Sequence, residues 1–187
     1  MRRRVLVAGL AATAVTVFGV VASCGSGQGG GGVPTPTASR HIALSSTAFR
    51  DGGTIPRRYT CDGEDVSPPL ALSGVPAHTA SLVLLVEDPD AARGPFAHWL
   101  VWNMDPHTTR LLPGQAPPGA VQGRNSFTKA GYSGPCPPMG APHHYVFTVY
   151  AVDRRLAPPS GATADDLRRA VNGHALALGT LTGRYGR

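Results

Sequence analysis

Three short apolar runs set the framework of the chain. Ser81 to Glu87 (SLVLLVE) is almost continuously hydrophobic, rich in leucine and valine, and bounded by Asp88-Pro89-Asp90. Such a run predicts a strand buried on both faces and ended by a turn. His98 to Met104 (HWLVWNM) and Tyr145 to Val152 (YVFTVYAV) follow the same pattern, the second dominated by β-branched and aromatic residues. Leu112 to Gly123 and Gly131 to Pro142 are rich in glycine and proline and read as loops. Strands joined by loops rather than helices predict a mainly β, antiparallel two-sheet fold. One helix follows late in the chain. Thr163 can cap it, Asp165 and Asp166 suit its positive N-terminal end, and Leu167, Ala170, Val171, His174, Ala175 and Leu178 share one face. Gly179 is expected to stop it. This C-terminal helix should cover a sheet, with His174 as a hydrogen-bonded core residue rather than a ligand.

The N-terminal pattern is different. Arg2 to Arg4 precede Val5 to Val21, an uncharged and mainly apolar run, and the small residues Ala22-Ser23 follow. Next comes Cys24, so Val21-Ala22-Ser23-Cys24 resembles a bacterial lipobox. That resemblance implies a signal peptide over residues 1–23, cleavage before Cys24, and a diacylglyceryl group on its sulfur. An ordinary secretory signal and a single membrane-spanning helix are the alternatives. Each buried methylene of an acyl chain such as palmitate contributes about 0.8 kcal/mol, so several chains hold a protein on a membrane. Residues 24–40, with the stretch GSGQGGGGVPTPTAS, lack apolar periodicity and read as a flexible tether. The folded domain is then expected over residues 41–187, at the extracytoplasmic face of the cell membrane.

Composition narrows the picture further. Hydrophobic residues make up 42% and charged residues 15%, which favours a packed core over a disordered chain. With 24 glycines and 18 prolines, a helical bundle is disfavoured. The net charge of +6 loses its meaning once located: of 17 Lys and Arg, three are Arg2 to Arg4, leaving 14 basic against 11 acidic residues. Lys129 is the only lysine and no basic stripe remains, so no nucleic-acid partner is expected. Trp99 and Trp102 read as packing residues. With Cys24 assigned to lipid, Cys61 and Cys136 form an even pair in a compartment that can oxidise thiols. A disulfide between them, two buried free thiols, and a metal site are the readings open.

Polar and ionisable groups gather beside the predicted strand ends. Asp88-Pro89-Asp90-Ala91 follows the first strand, His98 opens the second, and Gly134-Pro135-Cys136-Pro137-Pro138 leads to His143-His144-Tyr145 at the third. These segments, in this order, resemble the signature regions of the phosphatidylethanolamine-binding protein family, in its bacterial Raf kinase inhibitor-like branch. The resemblance extends to Thr60-Cys61-Asp62-Gly63-Glu64-Asp65-Val66-Ser67-Pro68-Pro69-Leu70 and to the C-terminal Leu181-Thr182-Gly183-Arg184-Tyr185, and so covers nearly everything from Ile42 onward. Leu72 departs from it, standing where bacterial members often carry tryptophan, and so does Arg93-Gly94, where proline is usual.

The resemblance implies a two-sheet antiparallel β fold with a small anion pocket, no catalysis common to the family and no cofactor. Its pocket residues carry over onto Asp88, His98, Pro138, His143 and Tyr145, with Asp90 and Pro137 beside them. The expected ligand is a phosphate-bearing small molecule or a phospholipid head group. The chemistry suits this: imidazoles and a phenol donate to phosphate oxygens, and prolines form walls that lose little entropy. Asp88 would repel phosphate, so its expected roles are to orient a histidine or accept from an ammonium. An Asx turn alone would also explain Asp88 and Asp90. His143 and His144 are adjacent and point to opposite faces of a strand, so only one lines a pocket, and His143 is favoured. His41, His78 and His107 read as solvated. Two other function classes compete. One is a kinase or protease inhibitor acting through surface loops, with the protein partner unidentified. The other is a metal-dependent hydrolase using Asp88, His98 and His143.

Overall fold

The computed structural model describes residues 33–159 and 161–187; the expected signal peptide, Cys24 and the expected tether as far as residue 32 lie outside them. In chain order the elements are β1 (Arg40–His41), β2 (Ala43–Ser45), β3 (Gly53–Thr54), β4 (Leu70–Ser73), β5 (Ser81–Asp88), β6 (Phe96–Met104), β7 (Arg110–Leu111), β8 (Val121–Gln122), β9 (His143–Val152), α1 (Ala164–Val171) and β10 (Ala175–Tyr185). β5 and β9 sit at the centre of a seven-stranded sheet of order β1-β10-β9-β5-β6-β8, with β3 also paired to β10. The long strands pair antiparallel, while the short β1 and β3 run parallel to β10. β2, β4 and β7 form a second, three-stranded antiparallel sheet. Residues 33–39 carry no regular structure, and Pro36 among them is buried.

The continuous apolar run of β5 follows from burial on both sides. Alternate residues of a strand face opposite ways. Leu82, Leu84 and Val86 join Trp99, Phe147 and Val149 in a core shared with Leu44, Leu70 and Leu72 of the small sheet. Val83 and Leu85 join Leu100, Trp102 and Tyr150 in another, beneath Leu167 and Val171 of α1. Both tryptophans are buried packing residues, and Trp99 Nε1 donates to Gln122 Oε1 at 2.7 Å.

The helix starts as its sequence predicts. Thr163 Oγ1 accepts the Asp166 N–H, and Asp166 Oδ2 accepts the Thr163 N–H at 2.9 Å, a reciprocal cap. The bonds from Thr163 lower the Asp166 pKa to about 2. Arg168 then ties helix to sheet, pairing with Glu87 of β5 and with Asp165 at 2.7 Å. Burial raises the pKa of Glu87 in spite of that partner.

The helix ends earlier than the periodicity implies. It stops at Val171, Asn172 leaves helical geometry, and Gly173 turns the chain at φ 79°. Ala175 and Leu178 therefore belong to β10, and Gly179 lies inside that strand rather than stopping a helix. His174 sits in the turn, half-buried, with Nδ1 3.1 Å from Asp153 Oδ1. The physical reason is close packing: a Cβ on Gly179 would lie 2.0 Å from the Ile42 carbonyl oxygen, so glycine there lets the backbones approach.

Candidate functional site

Antiparallel pairing brings the end of β5 and the starts of β6 and β9 to one edge of the large sheet, with Asp88 opposite Phe96 and Glu87 opposite both Ala97 and Val146. The loop before β9 closes over that edge. The result is a cavity of about 360 Å³ that brings together Asp88, Asp90, His98, Pro137, Pro138, His143 and Tyr145. Ala91, Ala92, Phe96, Phe127 and Cys136 complete its wall.

Asp88 is buried and occupied on both oxygens. Oδ1 accepts the Asp90 N–H at 2.8 Å, an Asx turn, and Oδ2 accepts from His143 Nδ1 at 2.7 Å. The turn and the orienting role thus coexist in one side chain. That bond occupies Nδ1 of His143 and leaves its other ring nitrogen, Nε2, outside the pairing in a residue that lines the cavity. His144 points away, where its N–H and Nδ1 both reach Asp90 Oδ2 at 2.7 Å. Those bonds lower the Asp90 pKa. His41, His78 and His107 are exposed.

His98 is 2% exposed, and its Nδ1 lies 2.6 Å from the Ser133 carbonyl oxygen. A carbonyl only accepts, so Nδ1 carries the proton. Burial pushes the His98 pKa below its ordinary 6.5, outweighing the Ser133 carbonyl and the Asp88 charge that pull it up. At neutral pH the ring is uncharged and Nε2 is a bare acceptor. Tyr145 stands edge-on to it, with ring centroids 5.2 Å apart. The Tyr145 hydroxyl is buried and makes no hydrogen bond of ordinary geometry among the described residues, although the Asp88 carboxylate and the Cys136 backbone stand near it. Burial, followed by the Asp88 and Asp90 charges, raises its pKa, so it remains a neutral donor. Among the described residues, no lysine or arginine lines the cavity.

Residues outside the predicted set hold this arrangement. Asn125 is 3% exposed; its Nδ2 donates to Gly131 O and Ser133 Oγ, and its Oδ1 accepts from the Phe127 and Lys129 N–H groups, each at 3.0 Å. It therefore fixes both the Phe127 wall and the segment that carries the His98 acceptor. Asp65 Oδ1 accepts the Gly134 N–H at 2.6 Å, and a Cys61–Cys136 disulfide spans Cα atoms 5.4 Å apart beside it. Of the alternatives for these cysteines, the structure has the disulfide. Phe96, Phe127 and Asn125 carried no signal in the sequence beyond two aromatics and an amide near loops. Among the described residues, no group of three His, Cys, Asp or Glu side chains could hold a metal ion.

Comparison with known proteins identifies the chain's relatives. A family model described as phosphatidylethanolamine-binding protein matches residues 45–186. A UPF0098 protein of Archaeoglobus fulgidus is 47% identical over 148 residues, 75% of this chain; the chain spans half of that relative's length (50%). A Mycobacterium tuberculosis protein, provisionally named as the lipoprotein LppC, is 39% identical over 185 residues, covering 88% of this chain and 92% of its own. The crystal structure of a phosphatidylethanolamine-binding protein homologue from Chlamydia trachomatis has a TM-score of 0.74 at 42% identity, over 80% of this chain and 99% of that one. The family model spans residues 45–186 and these relatives exceed 30% identity over most of this chain, so the chain belongs to the phosphatidylethanolamine-binding protein family.

Proposed function

We propose that this protein binds the phosphate group of a small molecule or phospholipid head group and is not an enzyme. We propose also that a lipid on Cys24 holds it at the extracytoplasmic face of the cell membrane. The observation that carries the pocket reading is the Tyr145 hydroxyl, buried and unpaired beside the free nitrogens of His98 and His143. An unsatisfied buried donor costs about 1–3 kcal/mol, and a ligand oxygen would relieve it. The anchor reading is supported by the Val21-Ala22-Ser23-Cys24 pattern and by the name of the M. tuberculosis relative. Among the described residues that line the cavity there is no serine or threonine, and Cys136 is held in a disulfide, which supports binding over turnover.

Among the described residues the pocket has no fixed cation, so the proton becomes part of the ligand. Neutral His98 accepts at Nε2 and needs either a phosphate P–O–H or a proton of its own. The second pKa of a phosphate monoester is about 6. Above that pH the free ligand is a dianion and free His98 is neutral, so binding takes up a proton. Phosphoethanolamine affinity is therefore expected to fall between pH 6 and 8, by up to about tenfold per unit. Calorimetric titration of the domain checks this, with His98→Ala and Asp88→Asn each weakening binding about thirtyfold, the equivalent of about 2 kcal/mol. His78→Ala should leave it unchanged. Affinity that is flat or rising with pH, or indifferent to His98→Ala, contradicts the reading.

A further inference from the structure

A second and larger cavity, about 660 Å³, lies against the end of β10 and has a different chemistry. Arg50, Arg184 and Arg187 line it, with Phe49, Pro142 and Tyr185 as apolar walls. Arg187 pairs with Asp62 at 3.1 Å, but among the described residues Arg50 and Arg184 have no carboxylate partner. Asp51, next to Arg50 in the chain, is engaged by the Thr182 N–H at 2.8 Å.

One loop separates the two cavities. Pro138 walls the phosphate pocket, while Gly140 and Pro142 wall the arginine-lined groove. Between them projects Met139, 81% exposed, far above the other large hydrophobic residues of the domain. A single exposed apolar residue needs no explanation by itself. This one stands on a proline-stiffened tip, between unpaired guanidiniums on one side and the pocket mouth, with its half-exposed Phe127, on the other. Stiffening matters, because a tip that is already ordered loses little entropy on insertion.

We propose that this face docks on an anionic phospholipid bilayer, with Met139 entering the head-group layer and Arg50 and Arg184 taking lipid phosphates beside it. Apolar insertion flanked by cations is the arrangement that binds an anionic interface. The pocket mouth would then open at head-group level. That last step rests on the pocket reading above and makes a bilayer lipid, rather than free phosphate, the source of its ligand.

The test uses residues 33–187 without the lipid anchor. That part contains the whole fold: 80% of this chain matches 99% of the C. trachomatis structure. Cosedimentation with phosphatidylglycerol–phosphatidylcholine vesicles should show binding that weakens with salt and is absent on phosphatidylcholine alone. Arg50→Ala and Arg184→Ala should each weaken it about fivefold. Met139→Asp should weaken it likewise, and Arg110→Ala, outside both cavities, should not. No vesicle binding, or equal binding by all variants, overturns the docking proposal even if phosphoethanolamine still binds in solution. Self-association without vesicle binding overturns it in favour of a second copy on this face. Vesicle binding with the variant pattern, but no phosphoethanolamine binding, supports docking and sinks the pocket reading instead.

Discussion

Reduction of the Cys61–Cys136 bond is expected to lower the unfolding free energy by about 4 kcal/mol and to weaken ligand binding with it. The bond joins residues 75 apart in sequence, and closing so long a loop removes much of the freedom of the unfolded chain. Its functional reach comes from position, because Cys136 itself walls the pocket and precedes Pro137 and Pro138. Other restraints remain after reduction: the Cys61 N–H donates to Pro135 O at 3.1 Å and the Gly134 N–H to Asp65 at 2.6 Å. The domain should therefore stay folded in mild reductant with a looser pocket wall. Urea unfolding with and without reductant, repeated on the Cys61→Ser/Cys136→Ser variant, measures the first effect, and calorimetry the second. A stability change under about 1 kcal/mol would show that the loop-closure argument fails here.

Gly179→Ala should destabilise the domain by about 3–5 kcal/mol, an unusually large effect for one methyl group. The added Cβ would lie 2.0 Å from Ile42 O and 2.9 Å from Ile42 C, so it meets backbone rather than a side chain that could swing aside. Relief requires β1 to move, and with it Ile42, a fully buried core residue whose N–H donates to Leu178 O at 2.8 Å. Gly119→Ala, where nothing lies within 4 Å, is the control; its cost is the positive φ of 70° alone. Chemical denaturation of the two variants compares them directly. Equal midpoints would mean that β1 is not packed on β10.

The contrast between β5 and β10 explains what could be read in advance. β5 and β6 are buried on both faces over most of their length, and β9 over its second half, so their sequences are nearly continuous apolar runs. β10 buries Ala177, Gly179, Leu181 and Gly183 on alternate positions, and a face half made of glycine leaves almost no hydrophobic signal. Its first residues also continue the helical spacing from Leu167 and Val171, which is why the helix looked longer than it is. β2, β4 and β8 were too short to show a period. At the site, Asp88, His98 and His143 were legible because their motifs are distinctive. Phe96 and Phe127 were not, being ordinary aromatics until the fold places them. The charge state of His98 was likewise hidden, since it depends on burial and on a carbonyl 35 residues away.

If a phosphate group sits between His98, His143 and Tyr145, the imidazole resonances will report it. NMR spectra of the histidine side chains would be followed at pH 6.5 while phosphoethanolamine is added. Saturable shifts are expected at His98 and His143, a smaller one at His144, and none at His41, His78 or His107, which lie outside the pocket and are exposed. Movement confined to the exposed histidines, or no movement at His98 and His143 up to saturating ligand, would contradict that placement of the phosphate.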